Sequence, residues 1–151
     1  MNLDHYQFKI APDYHEYEFY SDGPRGRIKK MVVFSLVKWK GILFYNLAFG
    51  DYIDELNKLN DDSVSNNGDR QKVLATVATI VIDFANHFPD ALIFATGSTP
   101  ARTRLYQMNI NRLWDEVKLL FQIYGVRSDG IMELFRPNEN YHGFYARRIL
   151  H

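Results

Sequence analysis

The chain has 151 residues, 18 basic and 18 acidic side chains and no cysteine, so it is long enough to bury a core as a single domain over residues 1–151. The missing cysteines exclude disulfides, thiolate metal sites and cysteine nucleophiles. The zero formal net charge argues against nucleic acid as a partner, because nucleic-acid binders usually carry a basic excess.

The first third of the chain alternates apolar and polar side chains, which is the period of half-buried β-strands. Short turns at 21–26 and 39–41 separate these segments, and tight connections favour antiparallel neighbours. We therefore predict an N-terminal antiparallel meander. Its strands are expected at 6–10, 15–20, 28–37 and 42–49.

Residues 50–69 are acidic and loop-like, with one helical turn expected at 53–59. A helix is predicted over Arg70–Phe88, because its apolar side chains recur at helical spacing. Asp69 is a candidate N-cap, and Pro89 ends the helix because proline cannot continue it. The apolar stripe consists of Val73, Val77, Ile80, Val81, Phe84 and Phe88.

An apolar strand is predicted at Ala91–Thr96, and a second long helix follows the Gly-Ser-Thr-Pro turn. Ser98 or Thr99 caps this helix, because the next residue is a proline, which is favoured at the first helical position. The helix is expected to run to about Phe121 and to end near Gly125. One face carries Tyr106, Ile110, Leu113, Val117, Leu120 and Tyr124.

The last part of the chain is again β-like, with two strands predicted at 131–135 and 141–150. The order of elements is therefore a meander, a helix, a strand, a helix and a C-terminal β-hairpin. This order predicts an α+β fold in which two long helices pack on a mostly antiparallel sheet.

The strongest local signal for a site is the turn at Gly97, Ser98 and Thr99, where a strand leads into a helix. The free N–H groups of a first helical turn and the helix dipole attract anions. Arg102 and Arg104 follow at the end where each cation opposes the dipole by about 0.3–1 kcal/mol. A bound anion would offset this cost, so we identify the segment as a candidate anion site, with a nucleotide as a candidate ligand.

A structural alternative stays open for this turn, in which the two arginines pair with the acidic loop. The candidate carboxylates are Asp51, Asp54, Asp61 and Asp62.

A second candidate for ligand binding is Asn66, Asn67 and Gly68, which also precede a helix and could line a pocket beside the first site. The alternative there is an ordinary Asn-Gly turn followed by an Asp N-cap.

Neither segment decides whether the protein is an enzyme. The histidines lack the spacing of metal ligands, and no Gly-x-Ser-x-Gly elbow is present. The alternative function is a protein-interaction module or a homodimer that uses an aromatic β surface. The tail Tyr141–Arg148 motivates it, because Tyr and Arg dominate interface hot spots.

The N-terminal residues show no basic signal region, and polar side chains interrupt the longest apolar run, at 73–85. Such a run is too short and too polar to span a bilayer. We therefore expect a soluble, cytoplasmic protein without a membrane segment.

Two resemblances follow from these motifs. The segments 65–69, 74–77 and 97–106 look like those of a family of small uncharacterised bacterial proteins, and this likeness covers nearly the whole chain.

The order of elements is similar to the C-terminal two thirds of GNAT-type N-acetyltransferases, in which a Leu-Tyr pair near the start of a helix can supply a general acid. Leu105 and Tyr106 match that pair, so the resemblance implies coenzyme A as ligand and Tyr106 as a candidate catalytic residue. Where those enzymes hold a pyrophosphate on a glycine-rich turn, this chain has the single glycine Gly68. The resemblance therefore implies the fold and leaves the acyltransferase activity open.

Overall fold

The computed structural model of the chain describes residues 3–60 and 66–149. Within these ranges it has a mostly antiparallel sheet of nine strands and three α-helices, which confirms the predicted α+β class. The elements are β1 Lys9–Ile10, β2 Glu16–Gly23, β3 Gly26–Trp39, β4 Ile42–Ile53, β5 Lys58–Asn60, α1 Arg70–His87, β6 Leu92–Ala95, α2 Pro100–Arg112, α3 Trp114–Leu120, β7 Phe121–Val126, β8 Met132–Leu134 and β9 Gly143–Arg148. A 3-10 turn, Asp54–Leu56, lies where a helical turn is expected.

The chain divides into two compact units. Residues 1–35 and 48–87 form the first unit, and residues 36–47 and 88–151 form the second, so β3 and β4 contribute to both. Folding as a single domain stays a prediction. None of the helices in the described ranges has the length and apolar character needed to cross a membrane.

In the first unit, α1 buries four of the six residues of the predicted apolar stripe, Val73, Val77, Ile80 and Phe84, whereas Phe88 lies beyond the end of the helix. Phe84 stacks on Phe34 of β3, with ring centroids 3.9 Å apart. Tyr17 of β2 donates a hydrogen bond from its hydroxyl to Asp83 of α1 at 2.7 Å. Burial of the Tyr17 phenol, together with this bond, raises its pKa well above the usual value. The buried apolar side chains here are Tyr17, Phe19, Val32, Phe34, Val73, Val77, Ile80 and Phe84.

A buried ion pair also lies in the first unit. Lys30 of β3 and Asp51 of β4 are joined by an N–O distance of 2.5 Å, and their side chains are only 1% and 12% exposed. The neighbouring Lys29 pairs instead with Glu18 and with the largely exposed Asp54. Buried charges are tolerated only when they are paired and hydrogen-bonded, so the two members of the buried pair depend on each other.

In the second unit, β4 pairs in parallel with β6, and β6, β9, β7 and β8 follow as antiparallel neighbours. The predicted strand at Ala91–Thr96 is therefore confirmed as an internal strand. One face of this sheet is buried, through Ile93, Ile123 and Phe144. Strand alternation places these side chains on a common face, because Ile93 and Ile123 both lie opposite Ala146 of β9.

The second long helix is shorter than predicted. α2 ends at Arg112, α3 begins at Trp114, and the chain enters β7 at Phe121. Tyr124 and Gly125 therefore lie in a strand, and their assignment to a helix and its end was wrong. The segment Phe-Gln-Ile-Tyr-Gly-Val is rich in aromatic and β-branched side chains, which fit a paired strand better than a helix.

The C-terminal hairpin is formed by β7 and β8, whereas a hairpin between the strands at 131–135 and 141–150 was predicted. β9 pairs with β6 on one side and β7 on the other, so the last strand is internal. This pairing joins segments that are distant in sequence, so local turn composition does not reveal it. Tyr141, just before β9, and Phe144 within it are buried.

Candidate functional site

The turn between β6 and α2 is tight because Gly97 lies against the first turn of the helix. A Cβ atom at Gly97 would lie 2.4 Å from the Thr103 amide nitrogen and 2.5 Å from the Arg102 Cβ. The Gly97 N–H donates to the Thr103 hydroxyl at 2.9 Å. Thr99 is the N-cap, as predicted, since its hydroxyl accepts from the Arg102 N–H at 3.3 Å. The Gly97 amide is therefore used within the turn.

The two predicted arginines lie in different surroundings. Arg102 donates from Nη1 to the Ser98 hydroxyl at 2.6 Å, so its guanidinium group folds back on the turn. Arg104 is exposed and lines a cavity. Neither guanidinium group forms an ion pair with a described residue of its own unit.

This cavity has a volume of about 270 Å³, and its second wall is the chain just before β9. Buried Gln107 ties that segment to α2, because its amide nitrogen donates to the Glu139 carbonyl and its amide oxygen accepts from the Tyr141 N–H at 3.3 Å. The Thr96 hydroxyl donates to the His142 carbonyl at 2.8 Å. The lining consists of Gly97, Ser98, Thr99, Pro100, Thr103, Arg104, Gln107, Asn140, Tyr141 and His142.

The charged groups of the lining favour an anion. Arg104 carries a permanent positive charge, and none of the described lining residues has a carboxylate. The hydroxyl of Ser98 and the amide of Asn140 add hydrogen-bonding groups. The start of α2 adds its dipole, which is positive at this end.

Two of the carboxylates considered as partners of these arginines, Asp51 and Asp54, lie in the first unit, whereas Arg102 and Arg104 lie in the second. Asp51 and Asp54 both form ion pairs with lysines of β3. The other two candidate carboxylates, Asp61 and Asp62, lie outside the described ranges.

The second candidate, Asn66, Asn67 and Gly68, lies in the first unit, whereas every lining residue of the cavity belongs to the second. Asn67 is 2% exposed. Its side-chain oxygen accepts from the Arg25 N–H at 2.7 Å, and its nitrogen donates to the Gly26 carbonyl at 2.9 Å. The Asn67 amide thus holds the β2–β3 turn, which favours the structural interpretation of this segment.

Replacing Asn67 with alanine is therefore expected to destabilise the fold by about 1–3 kcal/mol, because the backbone groups of the β2–β3 turn lose their partners. Urea unfolding measures the change. Asn66→Ala is the matched control, since Asn66 is exposed and its side-chain oxygen accepts from the Gly68 N–H, two residues along the chain. Equal effects of the two changes would contradict a special role for Asn67.

Tyr106, the candidate general acid, lies on α2 but is not among the lining residues. Five lining residues were not predicted from the sequence: Thr103, Gln107, Asn140, Tyr141 and His142. Thr103 and Gln107 are polar, buried and four residues apart, so they share one helix face. They are the only buried residues of α2, and their spacing of four along the helix was the local signal. The lining residues after β8 had no local sequence signal, because only the pairing of strands in the sheet brings them next to α2.

The tail Tyr141–Arg148 is less available to a partner than its composition suggests. β9 has a neighbouring strand on both sides, and Tyr141 and Phe144 are buried.

Among the described residues, no group of three or more His, Asp or Glu side chains is placed to hold a metal ion.

Comparisons with known proteins add a family and no activity. A family model described as "Family of unknown function (DUF6934)" matches residues 2–149. No curated protein and no solved structure matches the chain. The resemblance to an uncharacterised family is thus confirmed, and the resemblance to GNAT-type enzymes is not confirmed.

Proposed function

The chain belongs to this family of unknown function, and we propose that it binds a small anionic ligand in the cavity at the start of α2. The observation that carries the proposal is Arg104, which lines the cavity without an ion pair to any described carboxylate of its own unit. An arginine at the first turns of a helix opposes the dipole. A bound phosphate or carboxylate would reverse that cost and would accept hydrogen bonds from the guanidinium group.

The size of the cavity restricts the ligand. About 270 Å³ is near the lower end of the range for small-molecule pockets. It holds one phosphate or carboxylate group and the atoms next to it. A nucleotide or coenzyme A would therefore place its anionic group in the cavity and the rest of its structure outside.

Binding, rather than acyl transfer, is the function that the geometry supports. The candidate acid Tyr106 does not line the cavity, and Arg102 is bonded to Ser98 and contributes by shaping the turn. Arg104 is the direct contact, with Asn140 and His142 on the facing wall.

A thermal-shift screen with phosphate, nucleotides, coenzyme A and acetyl-coenzyme A tests the proposal. A ligand at a hundred times its dissociation constant stabilises the folded state by about 2.7 kcal/mol. Arg104→Ala removes a charge-assisted hydrogen bond worth about 1.5–3 kcal/mol, so the affinity is expected to fall by at least tenfold.

Arg112→Ala is the matched control, because Arg112 lies on the same helix, is exposed, and bonds to Asn109 at 2.9 Å rather than lining the cavity. The control is expected to keep the wild-type shift. The proposal fails if no anion stabilises the wild type, or if Arg104→Ala and Arg112→Ala respond alike.

A further inference from the structure

The edge strand β8 exposes apolar side chains. In the strand order of the sheet it stands at one end, next to β7. Met132 and Leu134 are 55% and 59% exposed, and Ile131, just before the strand, is 59% exposed. Natural edge strands usually carry lysine, proline or inward-pointing charges that prevent pairing with another chain. β8 is three residues long and has neither lysine nor proline, and its one charged side chain, Glu133, is paired with Arg127.

The backbone of β8 directs hydrogen-bonding groups to its open side. The Arg127 N–H donates to the Ile131 carbonyl at 2.8 Å, and the Phe135 N–H donates to the Ile123 carbonyl at 2.9 Å. In an antiparallel pair, residues alternate between facing the neighbouring strand and facing away from it. Since Ile131 and Phe135 face β7, Met132 and Leu134 direct their N–H and C=O groups away from β7.

The sequence of β8, Met-Glu-Leu, has the same apolar–charged–apolar pattern when read in either direction. An antiparallel copy placed about a twofold axis at Glu133 would bring Met132 opposite Leu134 of the second copy. By symmetry, Leu134 would lie opposite Met132 of the second copy. Both of these pairs would exchange backbone hydrogen bonds, because these two residues carry the outward groups. Their side chains share one face of the sheet, so each apolar side chain would gain an apolar neighbour.

The charge at the axis is compensated within each copy. Glu133 bonds to Arg127, and Arg136 Nη2 lies 3.5 Å from the Glu133 carboxylate. Like charges directly opposite each other are destabilising, and arginines of both copies would flank the two glutamates that face each other across the axis and offset this cost. The chain as a whole has zero formal net charge, so two copies do not repel each other through their net charge.

We propose that β8 is a self-association edge, at which a second copy of this chain adds its own β8 in antiparallel register about a twofold axis at Glu133. A twofold axis makes the contact self-complementary and closed, so it produces a dimer rather than a fibre. A second copy fits better than an unrelated strand because the same short segment supplies both the apolar pair and the compensated charge on each side.

The oligomeric state in solution tests the proposal. Light scattering coupled to gel filtration, over a wide concentration series, should show a mass that rises from 17.8 kDa towards twice that value. Met132→Lys places a charge on the open edge and leaves the backbone hydrogen bonds between β8 and β7 in place. It is expected to raise the dissociation constant of the dimer by about tenfold or more.

Leu119→Lys is the matched control, because Leu119 is equally apolar and 66% exposed but lies on α3. It should dimerise like the wild type, and circular dichroism should show both variants folded. Hydrogen exchange tests the register. The Met132 and Leu134 amides should exchange more slowly as the concentration rises, with the Phe135 amide as internal reference. A wild type that stays monomeric, a dimer that survives Met132→Lys, or a dimer without this protection would each overturn the proposal.

Discussion

Replacing Asp51 with alanine is expected to lower the free energy of unfolding by about 3–5 kcal/mol, because it leaves a buried ammonium group without its partner. The Lys30 side chain is 1% exposed, and its nitrogen lies 2.5 Å from the Asp51 carboxylate. Urea unfolding measures the change, and the variant is expected to unfold at a much lower urea concentration.

Asp54→Ala is the matched control for this change. Asp54 also pairs with a lysine of β3, but its side chain is 67% exposed, and exposed pairs contribute about 0–1 kcal/mol. The double variant Lys30→Met with Asp51→Leu should recover most of the lost stability, because it removes both charges together. Similar, small effects of Asp51→Ala and Asp54→Ala would show that Lys30 reaches another partner or water.

Replacing Gly97 with alanine is expected to affect both stability and ligand binding. The new Cβ atom would lie 2.4 Å from the Thr103 amide nitrogen, which is backbone and cannot rotate away. The β6–α2 turn must therefore open, at a cost of about 1–3 kcal/mol. The same movement displaces Ser98 and Thr99 from the cavity. Urea unfolding and the thermal-shift screen together should show lower stability and the loss of the anion-dependent shift.

Gly130→Ala is the control for this prediction. An added Cβ at Gly130 would meet no atom within 4 Å, although its φ of +89° is itself unfavourable for alanine, by about 1–2 kcal/mol. It should lose some stability and keep the anion-dependent shift. If Gly97→Ala keeps the full shift, the turn geometry is not part of the ligand site.

Local patterns were sufficient for the elements that depend on near neighbours in the sequence. The apolar spacing of α1, the short apolar strand β6, and the Thr99 cap with Pro100 at the first helical position all follow from contacts within a few residues. For the same reason the turn at Gly97 could be identified from the sequence as a candidate site. Capping, helical periodicity and proline geometry act over one or two helical turns.

Long-range pairing decided what the local patterns could not. Tyr124 fits the helical spacing of α2, yet it lies in β7 because that segment gains two strand partners, β8 and β9. Asn67 lies in a segment with the composition of an ordinary turn, yet its side chain is buried against the β2–β3 turn.

The sequence by itself determined the α+β class, the two principal helices and one wall of the candidate site, the turn from Gly97 to Arg104. Only the tertiary structure decided the other wall, because Asn140 and His142 approach α2 through sheet pairing and through the buried Gln107. It also decided which strand is left at the edge. Strand partners are chosen by burial and backbone pairing over the whole chain, and these energies are not visible in any short segment.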